Sequence, residues 1–203
     1  MRIGLDFDGT VALYDEIFHG CAVEHFHMPH EIEVNKQAIR EWFWKTSEGK
    51  RQWIELQGVV YGSRMSEARL APGLEDFLHM CREKAIHVSI ISHKTEFPVI
   101  GPRVNLREAA RCWIEQRELC GKLGVCREDV FFESTREEKI RRIIKQRCSH
   151  FVDDLEEVFL ESAFPPNVEK LLFAPGAKDN PRAELKVFSA WSSIQSYSLQ
   201  AIG

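Results

Sequence analysis

No run of apolar residues in this 203-residue sequence approaches the length that a membrane-crossing helix needs, so no membrane partner is expected. Positive charge is not in excess either. The 27 Lys and Arg face 31 Asp and Glu, and a formal net charge of −4 offers no broad attraction for nucleic acid or anionic lipid. Six cysteines, at 21, 81, 112, 120, 126 and 148, form no CxxC pair and no regular framework, which points to a reduced, cytoplasmic protein. Cys120 and Cys126 could form a bridge or half a metal site, but small half-buried thiols explain them more simply. Carboxylates appear already at positions 6 and 8, so no apolar signal segment is expected ahead of the fold. Internal repeats and low-complexity tracts are missing too.

What is present is a 44% hydrophobic chain long enough for one domain with a sizeable insertion. Short runs rich in Ile, Val, Leu or Phe recur at Arg2–Phe7, Ile86–Ser92, Asp129–Phe132, His150–Val152 and Val168–Phe173, and they read as strands buried on both faces. Helical spacing lies between them, in Leu74, Phe77, Leu78 and Cys81, in Ala109, Ala110, Trp113 and Ile114, and in Ile140, Ile143 and Ile144. This alternation predicts an α/β fold, a Rossmann-like parallel sheet of about five strands with helices on both faces. Residues 1–11 and 71–203 would form that core. Residues 12–70 offer helices but no strand, and so read as an inserted helical cap with its own core of Phe18, Phe26, Trp42, Phe43, Trp44, Trp53 and Tyr61. The irregular stretch from His93 to Pro102 leaves the carboxyl end of a strand, where open parallel sheets bind ligands, and it ends at Asn105, which with Glu108 resembles a capping box.

The chemistry concentrates in Asp6-Phe7-Asp8-Gly9-Thr10, directly after the first apolar run. Two carboxylates two residues apart at a strand end that turns at a glycine can converge on one ligand. Paired acids accept an anion only with a cation between them, and magnesium, a hard cation that bridges carboxylate and phosphate oxygens, is the expected choice.

This segment resembles the first motif of the haloacid dehalogenase (HAD) superfamily. The superfamily's other motifs find counterparts in order: Ser92 closing Ile86-His87-Val88-Ser89-Ile90-Ile91-Ser92, Lys139 in Thr135-Arg136-Glu137-Glu138-Lys139, and the acidic pair closing His150-Phe151-Val152-Asp153-Asp154. The resemblance implies that Asp6 attacks phosphorus, that Asp8 protonates the leaving oxygen and then activates water, and that Ser92 and Lys139 bind the phosphoryl group. It places magnesium on Asp6, the carbonyl of Asp8, and Asp153, with Asp154 enlarging the cluster. Because Asp8 is present, a phosphatase or phosphotransferase is implied and a dehalogenase is not. A phosphomonoesterase acting on a small phosphorylated metabolite, of sugar phosphate or nucleotide class, leads. A mutase or a non-catalytic phosphate-binding module remains open.

Other residues admit two readings. Lys94, two residues past Ser92, competes with Lys139 as phosphate ligand, and Lys139 is preferred for its place in a first helical turn. His93 and Lys94 stand where the superfamily often has Asn, which makes both candidate substrate contacts. Trp53, Glu55, Gln57, Tyr61 and Arg64 mix aromatic and polar groups, and Trp53 and Arg64 are the cap residues singled out for substrate. Asp154 could instead cap a Leu155–Phe159 helix. His25, His27 and His30 could bind zinc, but their spacing matches no helical pair and favours a polar helix end.

Overall fold

The computed structural model describes residues 1–200 of the chain. The elements run β1 (Arg2–Leu5), β2 (Ala12–Leu13), α1 (Asp15–Phe26), α2 (Lys36–Phe43), α3 (Ser47–Tyr61), β3 (Arg69–Leu70), α4 (Leu74–Glu83), β4 (His87–His93) and α5 (Leu106–Gln116). They continue with β5 (Val130–Glu133), α6 (Arg136–Lys145), β6 (His150–Asp153), α7 (Glu156–Phe159), β7 (Glu169–Phe173), β8 (Leu185–Phe188) and α8 (Trp191–Gln200). None of the described helices is long and apolar enough to cross a membrane.

Two compact units emerge. The first comprises Met1–Ala12, Leu70–Lys94 and Arg117–Gly203, and it holds a parallel six-stranded sheet in the order β5-β4-β1-β6-β7-β8. The sheet thus has one strand more than the five expected. Its extra member, β8, is a short edge strand in which only Phe188 is buried, so it lacks the apolar run that betrays the central strands. Those central strands are buried because helices surround them. Ile140 and Ile143 of α6 pack with Ile91 and Phe151 in one cluster, while Trp191 of α8 meets Phe77 of α4 and Phe173 of β7 at ring-centroid distances of 4.9 and 5.5 Å. Gly4 matters to this packing, since a Cβ on it would come within 2.5 Å of the Phe151 ring.

β1 lies between β4 and β6, and the chain reaches these neighbours by crossovers to opposite sides. Their carboxyl ends therefore meet at a topological switch point, where open α/β sheets leave a crevice for ligands.

The second unit comprises Leu13–Arg69 and Thr95–Gln116 and contains α1, α2, α3 and α5. It extends beyond residues 12–70, because the stretch after β4 packs with the inserted helices. Trp113 of α5 donates its indole N–H to the Ala68 carbonyl at 2.9 Å, and Pro98 and the Ile100 carbonyl press on Gly58 so closely that a Cβ there would lie 2.8 and 2.9 Å from them. The unit's own core is aromatic: Phe18 stacks on Trp53 at 5.1 Å, with Tyr61 and Phe43 packed edgewise or tilted around the pair, whereas Trp44, expected among them, is 52% exposed.

Candidate active site

β1 ends at Leu5, and the chain is held one residue further by Asp6 N–H, which donates to the Val152 carbonyl of β6 at 2.8 Å. It then turns back. The amides of Val11 and Ala12 both donate to the Phe7 carbonyl, and Gly9 N–H donates to the Ala12 carbonyl, closing a loop that carries Asp6 and Asp8 at its mouth. Gly9 is needed twice over. Its φ of +88° suits glycine, and a Cβ on it would stand 2.2 Å from Asp154 Oδ2, so its bare backbone makes room for that carboxylate.

Three elements then bring side chains to the Asp6 site. Ser92, near the end of β4, donates its hydroxyl to Asp6 Oδ1 at 2.9 Å. Lys139 of α6 donates to the same oxygen at 2.5 Å and to Asp153 Oδ2, at the end of β6, at 2.6 Å. α6 is aimed by a capping box in which Thr135 Oγ1 accepts from Glu138 N–H and Glu138 accepts from Thr135 N–H, both at 3.1 Å. Asp153 is fixed from its other oxygen by Leu155 N–H at 3.1 Å, so Asp153, not Asp154, receives the amide at the head of α7.

Asp6, Ser92, Lys139 and Asp153 are all buried. Burial opposes the Lys139 ammonium, but Asp153 and Asp6 outweigh it and hold its pKa above lysine's ordinary value, so this side chain is charged at neutral pH. Burial pushes the Asp153 carboxyl up to about 6 against the pull of Lys139, and the nearby Asp6 charge adds to the rise.

Oxygens of Asp6, Asp153 and Asp154 lie within 4.8 Å of one another, and among the described residues no other group of three such side chains is gathered so closely. An all-carboxylate donor set of this size fits a hard divalent cation such as magnesium. Among the described residues the histidines at 25, 27 and 30 form no such group: His25 lies 3.7 Å from Glu24, and the backbone of His27 closes α1 in a left-handed conformation. All six cysteines are free thiols.

Trp53 is buried in the aromatic core of the helical unit, and Arg64 of that unit is paired with Glu67 and, at 3.8 Å, with Glu24. His93 is exposed at the end of β4. Lys94 is the surprise. Its side chain is 2% exposed and its ammonium lies 2.9 and 3.1 Å from the two oxygens of Asp8, an ion pair that sequence spacing does not reveal. The one hint was a lysine set immediately after an apolar strand.

No family model matches the sequence, and a comparison with curated proteins finds no match. Solved structures do match. A HAD-superfamily hydrolase of subfamily IA, variant 1, from Geobacter sulfurreducens PCA aligns with a TM-score of 0.59 and 13% identity over 100% of this chain and 96% of its own. A HAD family hydrolase from Deinococcus radiodurans R1, solved with bound phosphate and sodium, gives 0.62 and 10% over 98% and 95%. A predicted phosphatase from Clostridium acetobutylicum gives 0.53 and 13% over 98% of each. Sequence identity this low with end-to-end structural agreement establishes the architecture: the chain has the fold of the HAD-superfamily hydrolases.

Proposed function

We propose that the protein is a magnesium-dependent phosphomonoester hydrolase that acts on a small phosphorylated metabolite, of sugar phosphate or nucleotide class, through an aspartyl-phosphate. The observation that carries this reading is the convergence on Asp6, at the sheet's switch point, of one hydroxyl, one buried ammonium and two further carboxylates. Asp6 Oδ is the nucleophile: it bonds to phosphorus as the ester P–O bond breaks, and Asp8 gives the departing oxygen its proton. In the second half Asp8 takes a proton from water, the water oxygen bonds to phosphorus, and the Asp6–phosphorus bond breaks to release phosphate. Ser92 and Lys139 already grip an Asp6 oxygen, and from the same positions they donate to the phosphoryl oxygens as charge develops there. Asp6, Asp153 and Asp154 would hold magnesium, whose charge would let the anionic substrate approach the acidic cluster. The free thiols suit a reducing, cytoplasmic setting.

The test is a screen of phosphorylated metabolites for phosphate release, run on wild type and Asp6→Asn with magnesium or with chelator. Release by wild type that needs magnesium and vanishes in Asp6→Asn is the expected result. Turnover that survives in Asp6→Asn contradicts the proposed nucleophile.

A further inference from the structure

We propose that Lys94 is a positioning residue for Asp8, fixing the carboxylate that handles the proton, and is not a second ligand of the phosphoryl group. The inference rests on the phosphatase reading. Asp8 sits on the turn that follows β1, just before a positive-φ glycine. Lys94 holds both Asp8 carboxylate oxygens, at 2.9 and 3.1 Å, in the ionised form that takes the proton from water; when Asp8 carries that proton on one oxygen, the ammonium keeps the other.

The lysine is itself fixed at two points. Its backbone N–H donates to the Glu133 carbonyl at the end of β5 at 2.9 Å, and its ammonium lies 5.7 Å from the Phe7 ring centroid on a buried stem. The site's two lysines divide their labour, Lys139 serving Asp6 and Asp153 while Lys94 serves Asp8. Proton transfer contributes about a hundredfold to ten-thousandfold in rate, and displacing a group by about 1 Å costs on the order of a hundredfold, so loss of Lys94 should show mainly in kcat.

The experiment compares Lys94→Met, Lys94→Arg, Asp8→Asn and the Asp8→Asn/Lys94→Met pair, each loaded with magnesium, on an alkyl and an aryl phosphate. Lys94→Met should lose about a hundredfold in kcat on the alkyl ester, with KM and the inhibition constant of inorganic phosphate changed less than about threefold. Lys94→Arg, which keeps the charge, should recover part of the rate. Adding Lys94→Met to Asp8→Asn should change kcat by less than about threefold, because two residues that act through one group are not additive. The double variant also removes both members of the ion pair together, so that no buried charge is left without its partner. Multiplicative losses in the double variant, or a tenfold or greater weakening of phosphate inhibition with kcat retained, would overturn the proposal.

Crystal structures of wild type and Lys94→Met give a readout independent of turnover. The Asp8 carboxylate should turn away in the variant, and an unmoved Asp8 sinks the positioning role. A displaced Asp8 in a protein that hydrolyses no phosphoester would refute the phosphatase reading and leave the positioning role standing.

Discussion

Replacing Lys139 by Met removes one positive charge from between two carboxylates while keeping a stem of similar volume. In the wild type the ammonium lies 2.5 Å from Asp6 and 2.6 Å from Asp153, and none of the three side chains is more than 6% exposed. Removing one partner of a buried pair costs about 3–5 kcal/mol, because the charge left behind has neither water nor a counterion. In a chain of this length about 1 kcal/mol moves Tm by roughly 2–4 °C, so the melting temperature without metal should fall by about 6–20 °C. Magnesium should return part of that loss and should raise the variant's Tm more than the wild type's. The reason is electrostatic: without Lys139 the acids at 6, 153 and 154 attract a divalent cation more strongly, and whatever binds the native state stabilises it. Phosphate release should nevertheless drop by on the order of a hundredfold or more, since the metal would not replace the hydrogen bonds proposed from this lysine to the phosphoryl group. Calorimetric melts with magnesium and with chelator check the first two quantities. A variant that melts within about 2 °C of wild type, or that gains no more from magnesium than wild type does, refutes the reasoning.

Gly9→Ala should weaken magnesium binding and cost about 1–2 kcal/mol of stability, since its Cβ would sit 2.2 Å from Asp154 Oδ2 on a residue with φ of +88°. Isothermal titration with magnesium should show the weaker binding, and unchanged affinity would separate Asp154 from the metal site. Stability should also decline on the acid side through His150 and Glu169. Burial lowers the His150 pKa although Glu169 pulls it up, and hydrogen bonds from Lys186 and Tyr197 hold Glu169 low against the cost of its own burial. Both pKa values are lowered on folding, so each group stabilises the protein above its ordinary value, 6.5 for His150 and 4.5 for Glu169, and that contribution is lost as pH falls from the ordinary value through the lower folded one. Urea midpoints should drop accordingly, and Glu169→Gln should flatten the decline below about pH 4.5; an unaltered slope in the variant argues against it.

The central architecture was legible because its strands are buried on both faces and so carry unbroken apolar runs, with Asp6, Ser92 and Asp153 at or just beyond their carboxyl ends. Lys139 was legible through order alone, by following Ser92 and preceding the acidic strand. β8 was not, because an edge strand with one buried residue leaves no periodic signature. The amphipathic pattern of α5 shows which face is buried but not what covers it, and its place in the helical unit depends on the non-local bond between Trp113 and Ala68. The aromatic and polar mixture around Trp53 suggested a ligand contact, yet the indole stacks on Phe18, a residue too distant in sequence for periodicity to pair with it. Lys94 and Asp8 are likewise joined only by the adjacency of β1 and β4, and the closeness of Asp154 to Gly9 depends on the pairing of β1 with β6.

The claim that Asp6 is the nucleophile is tested most directly by acid-quenching the magnesium-loaded enzyme during turnover of a phosphate-labelled substrate found in the screen. Label should remain on the protein, be released by hydroxylamine as an acyl phosphate is, map to the peptide containing Asp6, and be absent from Asp6→Asn. Active enzyme whose label maps to another residue, or that retains no label when quenched within the first turnover, would contradict the account.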